Sequence, residues 1–119
     1  MIQNFTNLIA WQKSHELVLN VYTLIKKLPN EEKFTLSDQM RRSSISITSN
    51  IAEGFGRNTR KDKIQFYTIS KGSLLELQSQ VITAFDLKYI SNTDLEKITS
   101  LIEQSSKLIS GIIKSAKDK

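Results

Sequence analysis

A chain of 119 residues is long enough to bury one continuous core and too short for two independent ones. Its 17 Lys and Arg against 12 Asp and Glu leave a net charge of +5, which favours an anionic partner, and the absence of cysteine excludes disulfides and thiolate metal sites. No run approaches the roughly 18 apolar residues of a membrane span, and the opening MIQNFTNLIAWQK lacks the features of a secretory signal, so a soluble cytoplasmic domain is expected.

Only four Gly and one Pro punctuate the chain, which favours long helices. The first is expected over about 8–28. There Leu8, Trp11, Leu17 or Val18, Val21 or Tyr22, and Ile25 return at the spacing of one buried stripe, and Pro29 forbids continuation. Asn30 to Phe34 allow a short turn. The second helix, over about 36–57, starts with Thr35 as a cap and Asp38 three residues on, in the pattern of a capping box. Leu36, Met40, Ile47, Ile51 and Phe55 mark its core stripe. The third, over about 60–88, repeats the start signal with Thr59 and Asp62, and the fourth, over about 92–116, with Ser91 and Asp94. Helices of this length joined by short connections pack as antiparallel neighbours. The expected fold is all-α, an antiparallel up-down-up-down four-helix bundle forming a single domain. Ile69, Leu75, Ile82 and Ile113 fall outside the core stripes, and this second apolar face predicts a subunit interface.

That topology gathers the start of the first helix, the joint between the second and third, and the end of the fourth. Lys13, Arg57, Arg60, Lys61, Lys63, Lys114, Lys117 and Lys119 would meet there, with only Asp62 and Asp118 against them. The local excess of six positive charges exceeds the net charge of the whole chain, so the remainder is slightly acidic. Phosphate contacts need Lys and Arg rather than any fixed motif, so this end is the candidate nucleic-acid-binding surface. A merely solvated basic end is the alternative.

Signals for chemistry are sparse. His15 is the only histidine, and no Glu-x-x-His pair of the kind used by bundle di-metal sites occurs, so no metal or other cofactor is expected. Gly54-Phe55-Gly56 lacks the preceding strand and the Gly-Lys-Ser/Thr of a phosphate loop. No serine has a plausible histidine base, and no catalytic residues are assigned. Gln39, Arg42, Asn50 and Glu53 on the second helix, with Gly72, Ser73 and Glu76 on the third, read instead as a structural polar network that fixes helix register or subunit contacts. Glu53 and Glu76 as a general acid/base pair is the lesser reading, since nothing nearby supplies a nucleophile or metal.

The second helix carries small residues in two rows, Ser43, Ser46, Ser49 and Ala52 at spacing three, and Ser44, Thr48 and Ala52 at spacing four. Such ridges permit close approach of another helix, with Gly72-Ser73 as a natural counterpart. Leu8-x-x-Trp11-Gln12-Lys13, Val21-Tyr22, Leu28-Pro29, Gln39-x-Arg41-Arg42, Ser46-Ile47-x-x-Asn50-Ile51-Ala52-Glu53-Gly54 and Gly72-Ser73-x-x-Glu76 together closely resemble the 23S rRNA intervening sequence protein family, over about residues 8–90. The resemblance implies a four-helix bundle assembling into a homopentamer, often encoded within bacterial 23S rRNA genes, with no established enzymatic activity. A relative, the accessory variability protein of diversity-generating retroelements, is a basic pentamer associated with reverse transcriptase and nucleic acid. Thr48 stands where the family commonly has Pro. The expected function is a non-catalytic homo-oligomer binding rRNA or another nucleic acid through its basic end. A scaffold for a protein partner, such as a polymerase, is the alternative, and no membrane partner is expected.

Overall fold

Apolar spacing and capping residues produce four α-helices in the structure, a computed structural model that describes residues 3–118. These are α1 (Ile9–Ile25), α2 (Leu36–Phe55), α3 (Arg60–Asp86) and α4 (Asn92–Lys117), with single 3-10 turns at Phe5–Asn7 and Asn30–Glu32 and no strand among the described residues. Lys119, counted above with the basic end, lies outside them.

Each helix touches its neighbours in sequence, and α4 closes onto α1, so the four stand at the corners of a square and the diagonal pairs stay apart. Their directions follow from the bonds between them. Along the α2–α3 contact, Ser43 meets Gln80, Ser46 meets Ser73, and Lys63 meets Phe55, an order that only antiparallel helices allow. Lys27 near the end of α1 meets Asp94 at the start of α4, and Lys71 of α3 meets Ser110 of α4. The bundle is therefore up-down-up-down, with extents of 46 × 25 × 20 Å.

Leu17 and Val21 of α1, Met40, Ile47 and Ile51 of α2, Leu77 and Val81 of α3, and Ile109 of α4 are fully buried and form the axis of the core. Burying each such side chain stabilises the fold by about 1.5–3 kcal/mol relative to exposure. The core also holds two hydroxyls with no hydrogen-bond partner, Ser14 on α1 and Ser105 on α4. An unsatisfied buried hydroxyl costs about 1–3 kcal/mol.

The ends of the helices differ from the sequence expectation in instructive ways. The first helix stops at Ile25 rather than Leu28, because the amides of Lys26, Lys27 and Leu28 each donate to the carbonyl three residues back. The chain thus tightens into a turn before Pro29 is reached. Thr35 does not cap α2: its hydroxyl bonds to the Glu32 carboxylate, and that same carboxylate faces the Leu36 amide. Glu32 also accepts from the Tyr89 hydroxyl at 2.9 Å, which ties the α1–α2 connection to the end of α3. The hydroxyls of Thr35 and Tyr89 hold the Glu32 carboxyl below its ordinary range. Asp38, the expected second half of that box, instead pairs with Arg41 and Arg42. Lys88 takes a left-handed conformation (φ 66°) in the turn after α3.

Thr59 caps α3 through the Asp62 amide, and Ser91 with Asp94 completes a reciprocal capping box on α4. Asp94 accepts from the Ser91 amide at 3.0 Å and from Lys27 at 2.8 Å. Its carboxyl is held low first by Lys27 and then by the Ser91 amide. A depressed carboxyl adds stability above its unfolded pKa and loses it as pH falls through the folded value. Asp94→Asn should therefore lower the urea midpoint at pH 7 and leave a flatter loss of stability below pH ~4. Denaturant titrations at several pH values check this, and equal acid sensitivity in the two proteins would contradict it.

Candidate nucleic-acid interface

The small residues of α2 fall on two flanks of the helix. Ser44 and Thr48 are buried, on a flank distinct from the one carrying Ser43 and Ser46, which face α3. On the α3 side a ladder of hydroxyls runs between the helices. The Ser43 hydroxyl donates to Gln80 Oε1 at 2.7 Å, and the Ser46 and Ser73 hydroxyls bond to each other at 2.8 Å. Asn50 donates to both the carbonyl and the hydroxyl of Ser46, and the Ser70 hydroxyl donates to the Ile47 carbonyl at 2.8 Å. Below this ladder Gly54 lies against α3 so closely that an added Cβ would sit 2.7 Å from the Tyr67 ring and 3.1 Å from Phe66 Cβ. Two aromatic residues of α3 are thereby drawn up against the last turn of α2.

The cations of the α2–α3 joint are arranged on this corner. Lys63 reaches back to the end of α2 and donates to the carbonyls of Phe55, at 2.7 Å, and Gly54, at 3.4 Å. It thus satisfies acceptors that a helix C-terminus leaves open. Arg57 pairs with Glu53 at 3.1 Å, and its guanidinium lies over the Phe66 ring, 4.6 Å from the centroid. Arg60 and Lys61, in the first turn of α3, are exposed and have no carboxylate partner among the described residues; the same holds for Lys114 and Lys117 in the last turn of α4. Lys13 stands apart from this group. It pairs with Glu16 at 2.9 Å. The Lys27–Asp94 contact sets Lys13 level with the region of Leu108, about nine residues and roughly 14 Å short of Lys117 along α4.

The family model of the 23S rRNA-intervening sequence protein matches residues 6–111. The chain belongs to that family. A crystal structure of a protein of unknown function from the S23 ribosomal protein family of Bacteroides thetaiotaomicron has a similar fold: TM-score 0.82 at 31% identity, covering 89% of this chain and 99% of the other. No functionally curated protein matches. The intervening-sequence-protein family thus brings a fold and a lineage, and the site has to be read from its residues.

Of the polar residues expected to form a network, the structure brings together Asn50 and Ser73, through Ser46. The other members of that network are Ser43, Ser70 and Gln80. Their helical spacing is visible in the sequence, but their hydrogen-bond partners depend on the α2–α3 register. Gln39, Arg42, Glu53, Gly72 and Glu76 are exposed and make no bond across the seam. Gly72 has nothing within 4 Å of where a Cβ would stand, so the close-approach glycine of this seam is Gly54. Glu53 and Glu76 are not brought together: Glu53 holds Arg57, and Glu76 lies on the outer face of α3. His15 stacks on Trp11 (4.6 Å between centroids, 10° between planes), which in turn meets the edge of Phe5. No group of three or more metal-ligating side chains is assembled among the described residues, and none of the helices is long and apolar enough to cross a membrane. Phe66 escaped the sequence reading because it sits one residue off the core stripe marked by Tyr67.

The close contact at Gly54 makes a direct prediction. Gly54→Ala gains about 1 kcal/mol of helix propensity but pushes a methyl into a buried ring and the α3 backbone side, a clash worth typically 1–3 kcal/mol. Chemical denaturation should show net destabilisation of about 1–2 kcal/mol; a stabilised variant would show that α2 and α3 are not held this close.

Proposed function

We propose that this protein is a non-catalytic homo-oligomer that binds RNA through the end of the bundle formed by the α2–α3 joint and the last turn of α4. The observation that carries the RNA half is the set of four exposed cations, Arg60, Lys61, Lys114 and Lys117, with no acidic partner among the described residues. Cations left unpaired by their own chain keep their full attraction for phosphates, and release of counterions makes such binding favourable without base-specific contacts. The family description, which names an rRNA-intervening sequence, and the neighbour's place in a family named for a ribosomal protein agree with this partner.

The outer face of α3 supports self-association. Leu75 is 68% exposed, Ile69 and Ile82 are also exposed, and Gly72 leaves bare backbone among them. A glycine inside a helix costs about 1 kcal/mol relative to alanine, and the packing of this bundle gives no reason for it. Beside it, a cavity of about 230 Å³ opens between α3 and α4, floored by Leu74 and Ile102 and rimmed by Lys71 and Glu103. Exposed apolar surface continuous with a groove is the usual mark of a protein contact.

Reversing the four cations to Glu should weaken binding of a single-stranded RNA at least 10-fold at low salt. It should also reduce the slope of log affinity against log salt by about 3, from roughly 0.7 per lost phosphate contact. Filter-binding or anisotropy titrations read both, and wild-type protein that binds no RNA at low salt overturns the reading. Light scattering should give a wild-type mass of several chains. Leu75→Lys combined with Gly72→Leu should bring it towards one chain without loss of helical circular dichroism. A wild-type mass of one chain removes the oligomer from the proposal, and a protein partner retained after nuclease treatment favours a scaffold instead.

A further inference from the structure

Resting on the RNA reading above, we propose that Arg57, held over the Phe66 ring, is a platform for one unpaired base of a single-stranded RNA, with the neighbouring phosphates held by Arg60 and Lys61. Arg57 Cζ lies over the Phe66 ring, 4.6 Å from its centroid, and the Glu53 carboxylate, 3.1 Å from Nη2, helps to hold the guanidinium there. The Arg57 side chain remains 44% exposed, so it stays accessible to a ligand despite both contacts. A guanidinium is flat, delocalised and weakly hydrated, and nucleobases stack on such planes as they do on aromatic rings. The order is thus ring, guanidinium, base.

The other candidates for stacking at this end are already in use. Lys63 lies near the Phe55 ring, but its ammonium is a compact charge committed to the carbonyls at the end of α2. Trp11, on α1, is stacked on His15 and makes a T-shaped contact with Phe5. Arg57 is also close in sequence to the free pair. Four residues separate it from Lys61, a reach of at most about 14 Å. A base stacked on Arg57 therefore has cations available for the phosphates beside it.

The arrangement discriminates by strandedness. In an A-form duplex the bases are stacked on one another and their faces are covered, whereas a single strand can splay a base out. Duplex RNA would meet the same cations through its phosphates alone. The construction depends on Gly54, because the close approach it allows is what brings Phe66 to the corner where α2 ends.

The test compares a single-stranded RNA of about 12 nucleotides carrying 2-aminopurine with a duplex of the same length, at low salt. Arg57→Lys keeps the charge and removes the plane; Phe66→Leu keeps apolar burial and removes the ring. Arg57→Lys should lower single-strand affinity about 10-fold and abolish the change in 2-aminopurine fluorescence that accompanies binding of the wild type, with duplex affinity changed less than about 2-fold. Phe66→Leu should act in the same direction, and both variants should keep the helical circular dichroism of the wild type. Equal losses on single strand and duplex, or no loss on either, would show that Arg57 acts as a charge or not at all and overturn the platform alone. Wild-type protein that binds neither RNA removes the RNA reading and the platform with it.

Discussion

The distance between α2 and α3 is the constraint on which the rest of the structure rests. Short side chains along one flank of α2 and the missing Cβ at Gly54 let the two helices come together at a separation larger residues would not allow. At that separation the serine hydroxyls reach each other and reach backbone carbonyls, so the polar groups buried by the contact are satisfied by it. The ladder also fixes register, because sliding either helix by one residue breaks every one of these bonds. Its effect on the adjoining joint is positional: the turn from α2 into α3 is short and capped from both sides, by Lys63 on the carbonyls and by Thr59 on the amides.

The hydroxyls of Ser14 and Ser105 make an informative contrast. They are as deeply buried as Ser44 and Ser70, yet they have no partner. Along the α2–α3 contact small polar residues build a specific seam, while in the α1 and α4 helices the same residue type adds only a desolvation cost. A serine is therefore not evidence of a network by itself; the spacing between helices decides what it does.

Much of the fold could be read from the sequence. The apolar stripes located all four helices, and Ser91 with Asp94 located the start of the last one to the residue, since both halves of the box lie within one turn. The errors have two causes. Thr35 lost its capping role to Glu32 and Asp38 turned to two arginines, choices among partners within four residues that spacing alone does not rank. Gly72 proved open while Gly54 proved tight, which depends on what lies across a helix contact, and local patterns carry no record of that. The cations of the candidate site, Lys13 and Lys119 apart, were legible as a group because topology gathers the α2–α3 joint and the end of α4. Their division into bound and unbound members was legible only in part: Glu16 and Glu53 stand at helical pairing distance from Lys13 and Arg57, whereas the reach of Lys63 back to the end of α2 depends on the geometry of the joint.

Shape adds one further consequence. The molecule is about twice as long as it is wide, and Arg57, Arg60, Lys61, Lys63, Lys114 and Lys117 concentrate its net positive charge towards one tip of the long axis. A rod charged in this way is an electric dipole. In the field of a polyanion it feels a torque before any contact is made, so it arrives tip first and does not have to find its orientation after collision. Raising the ionic strength shortens the range of that torque, which makes the rate of encounter, as well as the strength of the complex, a property of the salt around it.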